Sequence, residues 1–356
     1  MKYKINYVLP AVFKSGGVRI IFEYANLLAK RGHSVCIYYP IFPFDSYKGV
    51  FSGNKFHEYY SMTAHHFSNI IKKNFYNYCF QLKIVPSISN FFLRNADFTI
   101  ATTWHTAYAV EKLNVKKGKK IYFIQDYENW RANEELVDKS YSLNLNRITS
   151  CQYLRKFLLE KFNTDSHVIY YGVDFKLFYP EKVRKFDELK TILFIDHGDE
   201  RKNVPALIKI IKKLKNDFPD LNFNCFGFKK INEMPEYVTF FENPSGDKIR
   251  ELYNEADIFL YPSLHEGFGL PPIEAIACKC PVISTDVGAI PEFIVSGETG
   301  FVISRYNLDE IPPIISTLKD NPGQLKLITE KAYDTIKKNF EWDEKIDEFV
   351  NYLNRI

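Results

Sequence analysis

The chain has 356 residues, more than the roughly 250 to 300 at which a single hydrophobic core stops growing, so two α/β domains with a cleft between them are expected. Its 46% hydrophobic and 25% charged residues, without a biased tract, exclude a disordered or low-complexity protein. The net charge of +4 is uneven: residues 1–180 hold 24 Lys and Arg against 13 Asp and Glu, and the remainder holds 23 against 30, which suits either an anionic partner for the first half or an ordinary lysine-rich surface.

The opening run Met1-Lys-Tyr-Lys-Ile-Asn-Tyr-Val-Leu-Pro10 is too short for a signal peptide and reads as a first strand over residues 5–9. No later segment supplies about 20 consecutive apolar residues. Lys14-Ser-Gly-Gly17 turns the chain into a helix over residues 18–31, apolar at helical spacing and stopped by Gly32. Strands follow at 35–38, 98–101, 121–124, 147–149 and 168–170, alternating with helical stretches as parallel βαβ units do. Gly172-Val-Asp174 and Tyr179-Pro180 mark the exit from this half, and the polar run 181–190 reads as a linker.

The pattern then restarts, with strands at 191–195, 221–226, 258–261, 281–284 and 300–303 and helices at 205–214, 249–253 and from 271. An amphipathic helix over residues 343–353 closes the chain. The six cysteines, Cys36, Cys79, Cys151, Cys225, Cys278 and Cys280, form no disulfide pattern, and Cys278-Lys-Cys280 lacks the two-residue spacer of zinc ligands. A reducing cytoplasm and no metal site are expected. No nucleic-acid-binding motif is present.

The segment that carries chemistry is His265-Glu-Gly-Phe-Gly-Leu-Pro-Pro-Ile-Glu274, which follows the strand ending in Tyr261-Pro-Ser263. A glycine-rich loop between a strand and a helix lets the backbone approach a ligand, and the free N–H groups and helix dipole favour an anion. Pro271 and Pro272 suit the first helical turn, which needs no amide donors. Glu266 then lies on the loop and Glu274 one turn into the helix, where a carboxylate can accept two hydrogen bonds from a vicinal diol such as ribose. An ordinary strand-to-helix turn with an exposed glutamate has the same spacing.

The paired glutamates, the enclosed Gly-Phe-Gly-Leu-Pro, the continuation Glu274-Ala-Ile-Ala-Cys-Lys-Cys-Pro-Val-Ile-Ser-Thr-Asp-Val-Gly-Ala-Ile-Pro-Glu292 and the later Gly297-Glu-Thr-Gly-Phe-Val302 closely resemble the retaining group 1 glycosyltransferases. Gly16-Gly17, Arg31-Gly-His33, Ser150, Gly172-Val-Asp174 with Phe178, and Phe340-Glu-Trp342 fall in that family's order. The resemblance implies a GT-B fold of two facing Rossmann-like domains: an acceptor-side domain at 1–178, a donor-binding domain at 179–338, and a terminal helix at 339–356 that returns to the first. It implies metal-independent transfer from a nucleotide-diphosphate sugar as co-substrate, with no cofactor.

By the same resemblance, Glu274 grips the nucleotide ribose, while Glu266 and the backbone of Gly267, Phe268, Gly269 and Leu270 face the transferred sugar. The family's phosphate-binding arginine and lysine fall on His197 and Lys202, so the lysine matches and the arginine does not; Arg201 stands beside it as a substitute. Arg201 and Lys202 also suit a solvated turn before a helix. Gly16 and Gly17 correspond to the family's glycine turn. Where the family often has a histidine in the first domain, this chain has Ile124-Gln-Asp-Tyr-Glu128, which makes Asp126 the candidate in its place. That segment is similar to one in some polysaccharide rhamnosyltransferases and implies a deoxysugar donor. Tyr127 and His105 are candidate sugar or acceptor contacts, although a buried histidine beside Trp104 is commonly structural.

A glycan or lipid-linked glycan is the expected acceptor, in polysaccharide, O-antigen or other surface-glycan synthesis. Between residues 67 and 94 lysines mix with aromatics, as in Ile70-Ile-Lys-Lys-Asn-Phe-Tyr-Asn-Tyr78 and Ser89-Asn-Phe-Phe-Leu-Arg94. That mixture suits either core packing or peripheral binding at an anionic membrane surface. A sugar-nucleotide epimerase and a non-catalytic sugar-nucleotide-binding subunit are the rival readings.

Overall fold

The computed structural model describes residues 1–12, 15–41, 78–129 and 133–356; the stretch Ile70-Ile-Lys-Lys-Asn-Phe-Tyr-Asn-Tyr78 lies, but for Tyr78, outside the described residues. The chain divides into two compact units, one of Met1–Tyr170 with Ile346–Ile356 and one of Tyr171–Lys345.

In the first unit seven strands form one parallel sheet: β1 (Lys4–Val8), β2 (Ser34–Pro40), β3 (Gln81–Val85), β4 (Phe98–Ala101), β5 (Lys119–Ile124), β6 (Asn146–Thr149) and β7 (His167–Val168), in the order β3-β2-β1-β4-β5-β6-β7. Ser15 caps helix α1 (Gly16–Lys30) by accepting the Val18 N–H at 3.2 Å, and Val18, Ile21, Ala25 and Leu28 bury its inner face. Helices α2 (Trp104–Glu111), α3 (Glu134–Ser140) and α4 (Gln152–Phe162) complete the described part of this unit.

The second unit repeats the scheme with β8 (Thr191–Asp196), β9 (Asn222–Gly227), β10 (Val238–Glu242), β11 (Ile258–Tyr261), β12 (Val282–Thr285) and β13 (Phe301–Ile303), in the order β10-β9-β8-β11-β12-β13 and again parallel. Its helices are α5 (Val204–Asp217), α6 (Gly246–Glu255), α7 (Leu270–Ala277), α8 (Ile290–Phe293), α9 (Ile311–Asp320) and α10 (Pro322–Asn339). Phe194, Leu207, Ile211, Phe223, Leu260, Ile283 and Ile315 meet in one core.

Strands β3 and β10 were not expected from the sequence, and both are sheet edges. Each has a single buried residue, Val85 and Val238, so neither shows the apolar run that marks a strand covered on both faces. The division between units falls at Tyr171 rather than 179, and residues 181–190 are not a linker. The Glu181 N–H donates to Asn254 Oδ1 at 2.8 Å, and Arg184 donates to the Ala256 carbonyl and, at 2.9 Å, to the Tyr253 carbonyl. Upstream, the Val173 N–H donates to the Phe340 carbonyl at 2.8 Å and Phe178 is buried near Tyr253. Helix α11 (Trp342–Arg355) carries the chain back to the first unit. There Phe349 packs at 5.2 Å from Tyr24, Tyr352 stacks on His167 at 4.7 Å, and Asp347 pairs with Arg31 at 2.5 Å.

In both sheets the strand order reverses beside the first strand, between β1 and β4 and between β8 and β11. Chain leaving the carboxyl ends of two such neighbours crosses to opposite faces of the sheet and leaves a crevice, the usual ligand position in open α/β sheets.

Candidate active site

In the second unit the residues after β8 and those after β11 converge at that reversal. The Leu264 N–H donates to the Arg201 carbonyl at 2.7 Å and ties the two loops together. Lys202 Nζ then bonds Glu266 Oε1 directly and donates to the Tyr261 hydroxyl at 2.8 Å. The Tyr261 and Ser263 hydroxyls each donate to the same Glu266 oxygen at 2.7 Å. The Lys202 and Glu266 side chains are only 15% and 13% exposed, so this is a nearly enclosed ion pair rather than a surface one.

Burial pushes the Glu266 carboxyl up, but the Lys202 charge and the bonds from Lys202, Ser263 and Tyr261 outweigh it and hold the group below its ordinary 4.5. Burial, and then the Glu266 charge, keep the Tyr261 hydroxyl protonated well above its ordinary value, so it remains a donor. Glu274 is buried in the first turns of α7, and its charge adds to burial in raising Tyr261, Tyr253 and Cys278.

The loop is held from beneath by a second turn. Gly288 has φ +53°, and a Cβ there would lie 2.4 Å from the Glu266 carbonyl; the next residue's N–H, that of Ala289, donates to the Gly267 carbonyl at 3.2 Å. Gly269 begins α7 at φ +89°, where a Cβ would lie 2.5 Å from Ile290 Cδ1. Leu270 opens the helix. The Phe268 side chain is turned into the core against Tyr171, Phe293 and Phe340.

His197 and Arg201 are placed differently from Lys202. His197 lies 4.6 Å from the Phe228 ring, and its Nδ1 is buried without a hydrogen-bond partner among the described residues. Burial and then the Lys202 charge lower its pKa to about 4, so it is neutral at pH 7 and adds no cation. The Arg201 guanidinium grips Asp199, with contacts of 2.5 and 3.1 Å, and chiefly through those bonds draws the Asp199 carboxyl down to about 2. Next to His197, Asp196 is 2% exposed; its Oδ1 accepts the Gly198 N–H at 2.8 Å, while Oδ2 has no partner among the described residues.

The first unit brings part of its candidate set together. Gly16 and Gly17 open α1, and a Cβ at Gly17 would sit 3.2 Å from Gln125 Oε1, so the glycine turn faces the residue before Asp126. Asp126 Oδ1 accepts the Tyr127 N–H at 2.8 Å. Tyr127 turns away: its ring is buried, its hydroxyl donates toward Glu134 and Asp138 at 2.9 Å, and Lys161 donates to it at 2.7 Å. His105 stacks on Trp104 at 3.5 Å, and burial lowers its pKa to about 4.

Sequence reasoning missed Tyr261 and Ser263, although both stand in the Tyr261-Pro-Ser263 strand end just before the motif. It also missed Glu128, whose Oε2 accepts the Trp104 N–H at 2.7 Å and whose pKa burial, with a contribution from Asp126, raises to about 8. Among the described residues no group of three or more His, Cys, Asp or Glu side chains is arranged to hold a metal ion.

Residues 175–335 match the family model for glycosyl transferases group 1, and this match assigns the second unit to the group 1 glycosyltransferases. An uncharacterized glycosyltransferase of Methanocaldococcus jannaschii is 28% identical over 201 residues, 54% of each protein. The O-antigen chain mannosyltransferase RfbU of Salmonella typhimurium is 25% identical over 263 residues, 68% of this chain and 71% of that one. The chain spans about half the length of the first curated relatives it matches. Anabaena HepE, solved with UDP and glucose, superimposes with a TM-score of 0.76 at 14% identity, covering 99% of this chain and 100% of that one. The fold is GT-B.

Proposed function

We propose that the chain transfers a sugar from a nucleotide-diphosphate sugar to a glycan acceptor, with retention of anomeric configuration and without a metal. The observation that carries this reading is the cluster of Lys202, Tyr261, Ser263 and Glu266 beside the glycine loop that opens α7. Departure of a nucleoside diphosphate develops negative charge, and a fixed ammonium with loop amides at a helix N-terminus stabilises that charge without reorganising at the moment of reaction. Lys202 is that ammonium. Glu266, carrying hydrogen bonds from three side chains, stays ionised to orient sugar hydroxyls, and Glu274 is the group we assign to the ribose. In the first unit we assign Gly16, Gly17 and Asp126 to the transferred sugar or the acceptor.

The group 1 match supports the donor class, as do the UDP and glucose in HepE. The O-antigen chain mannosyltransferase among the relatives supports an acceptor in surface-polysaccharide assembly. A second reading, a non-catalytic sugar-nucleotide-binding subunit, is favoured by one observation: neutral His197 and Asp199-bound Arg201 leave Lys202 as the cation of this cluster. Incubating the protein with a panel of nucleotide sugars, with and without EDTA, separates the readings. Hydrolysis or transfer giving the donor's anomer by NMR, unchanged by EDTA, is expected. Tight binding with neither reaction favours the subunit, and an inverted product rules out retention.

A further inference from the structure

The first unit carries an apolar and basic prominence at the opposite end of its sheet from the candidate residues. The chain between β3 and β4 and the chain between α2 and β5 lie at the amino ends of β4 and β5, whereas Gln125 and Asp126 follow the carboxyl end of β5. These two loops are fastened together. The Asn114 N–H donates to Asn90 Oδ1 at 2.8 Å, the Ala96 N–H donates to the Lys116 carbonyl at 3.3 Å, and buried Lys117 donates to the Leu93 carbonyl at 2.5 Å and to Asn95 Oδ1 at 3.0 Å. Arg94 bolts the first loop to the sheet through Asn6 Oδ1 at 3.0 Å and Ser34 Oγ at 2.9 Å.

The Asn90–Asn114 bond sets the next residues, Phe91 and Val115, on neighbouring loop tips, and these are 87% and 91% exposed. Single exposed apolar side chains are ordinary, but two on adjoining, hydrogen-bonded tips are a presented surface. Phe91 is braced edge-on by Phe92 at 5.0 Å, and Phe92 packs on the core, so Phe91 is held outward rather than loose. On the same segment as Val115, Lys112, Lys116 and Lys119 are exposed, and their ammonium groups have no hydrogen-bond or ion-pair partner among the described residues. The nearby acidic groups are engaged: Asp97 accepts the Lys4 N–H at 2.7 Å and Glu111 the Asn144 N–H at 3.0 Å.

We propose that these two loops dock the protein on an anionic lipid surface, with Phe91 and Val115 entering the headgroup region and Lys112, Lys116 and Lys119 facing the lipid phosphates. Two apolar tips alone bury too little area for stable adsorption, and three lysines alone would bind any polyanion; together they match the layered chemistry of a charged membrane. Among the described residues no helix is long and apolar enough to cross a membrane, so attachment through this prominence is peripheral.

The test uses the whole chain with vesicles of phosphatidylcholine, with and without phosphatidylglycerol. Co-sedimentation with the anionic vesicles only, weakened by salt, is expected. Lys112→Gln, Lys116→Gln and Lys119→Gln should each weaken it roughly fivefold, and the Phe91→Ser/Val115→Ser double variant at least tenfold. A Phe91→Trp variant should report insertion by a blue-shifted emission on anionic vesicles. Melting temperature and donor hydrolysis should stay at the wild-type values in all of these, which keeps this test separate from that of the catalytic reading. No vesicle binding by the wild type, binding indifferent to lipid charge, or an unshifted emission from the Phe91→Trp variant overturns the proposal, the last in favour of an acidic protein partner.

Discussion

The Tyr261 hydroxyl donates to Glu266 at 2.7 Å while accepting from Lys202 at 2.8 Å, so one residue at the end of β11 fixes both ends of the ion pair. Tyr261→Phe removes a donor from a nearly enclosed carboxylate and should cost about 1 to 3 kcal/mol at neutral pH. Glu266 is held below its unfolded value, so its contribution to stability is present above about 4.5 and is lost as pH falls through the lower folded value. With a donor gone, the folded value rises toward 4.5, and acid unfolding should begin at higher pH than in the wild type. Acid titration followed by circular dichroism measures this; superimposable curves would show that Tyr261 does not hold the carboxylate.

Lys202→Ala should lower donor turnover roughly a hundredfold or more, the usual scale for removing a fixed group that stabilises leaving-group charge. Its cost in stability should also be appreciable, on the order of 3 kcal/mol, because Glu266 is left without its counter-charge. Steady-state hydrolysis at saturating donor, paired with urea unfolding, gives both quantities. Wild-type turnover in a folded Lys202→Ala protein would remove Lys202 from the phosphate site.

Much of the fold was legible because its interior strands are covered on both sides: β1, β4, β8 and β11 are short apolar runs that sequence reading finds directly. The edge strands β3 and β10 were not, since each buries a single residue and so lacks an apolar run. The glycine loop was legible because Gly269 must adopt a positive φ before a helix that tolerates Pro271 and Pro272. The partners of Glu266 were not, because Lys202 and Tyr261 are brought to it by β8 and β11 lying side by side, a long-range pairing without local signature. Arg201 read as a spare cation for the same reason. Only the folded turn reveals that Asp199, two residues away, already occupies it.

Glu128 gives the first unit a stability profile that falls with rising pH. Burial lifts its pKa from 4.5 to about 8 in the folded chain. A carboxyl raised on folding contributes fully below the unfolded value and loses that contribution as pH climbs through the folded one, here between about 4.5 and 8. Glu128→Gln keeps an acceptor for the Trp104 N–H without the charge. The variant should match the wild type near pH 5 and be the more stable protein at pH 9. Urea midpoints across that range test it; parallel curves would place the Glu128 pKa in the ordinary carboxylate range.

Gly288 and Gly297 both have positive φ, +53° and +78°, but only Gly288 lies against the glycine loop before α7. A Cβ on Gly297 meets nothing within 4 Å, so Gly297→Ala should cost only the left-handed strain, about 1 kcal/mol, and leave donor KM unchanged. A Cβ on Gly288 meets the Glu266 and Gly267 carbonyls at 2.4 and 2.7 Å, backbone atoms that can yield only by moving the loop. Gly288→Ala should therefore cost more than Gly297→Ala, at least about 2 kcal/mol, and raise donor KM as Glu266 is displaced. The contrast separates strain from placement: a Gly288→Ala protein with unaltered donor KM would mean that the loop backbone does not set the position of the donor.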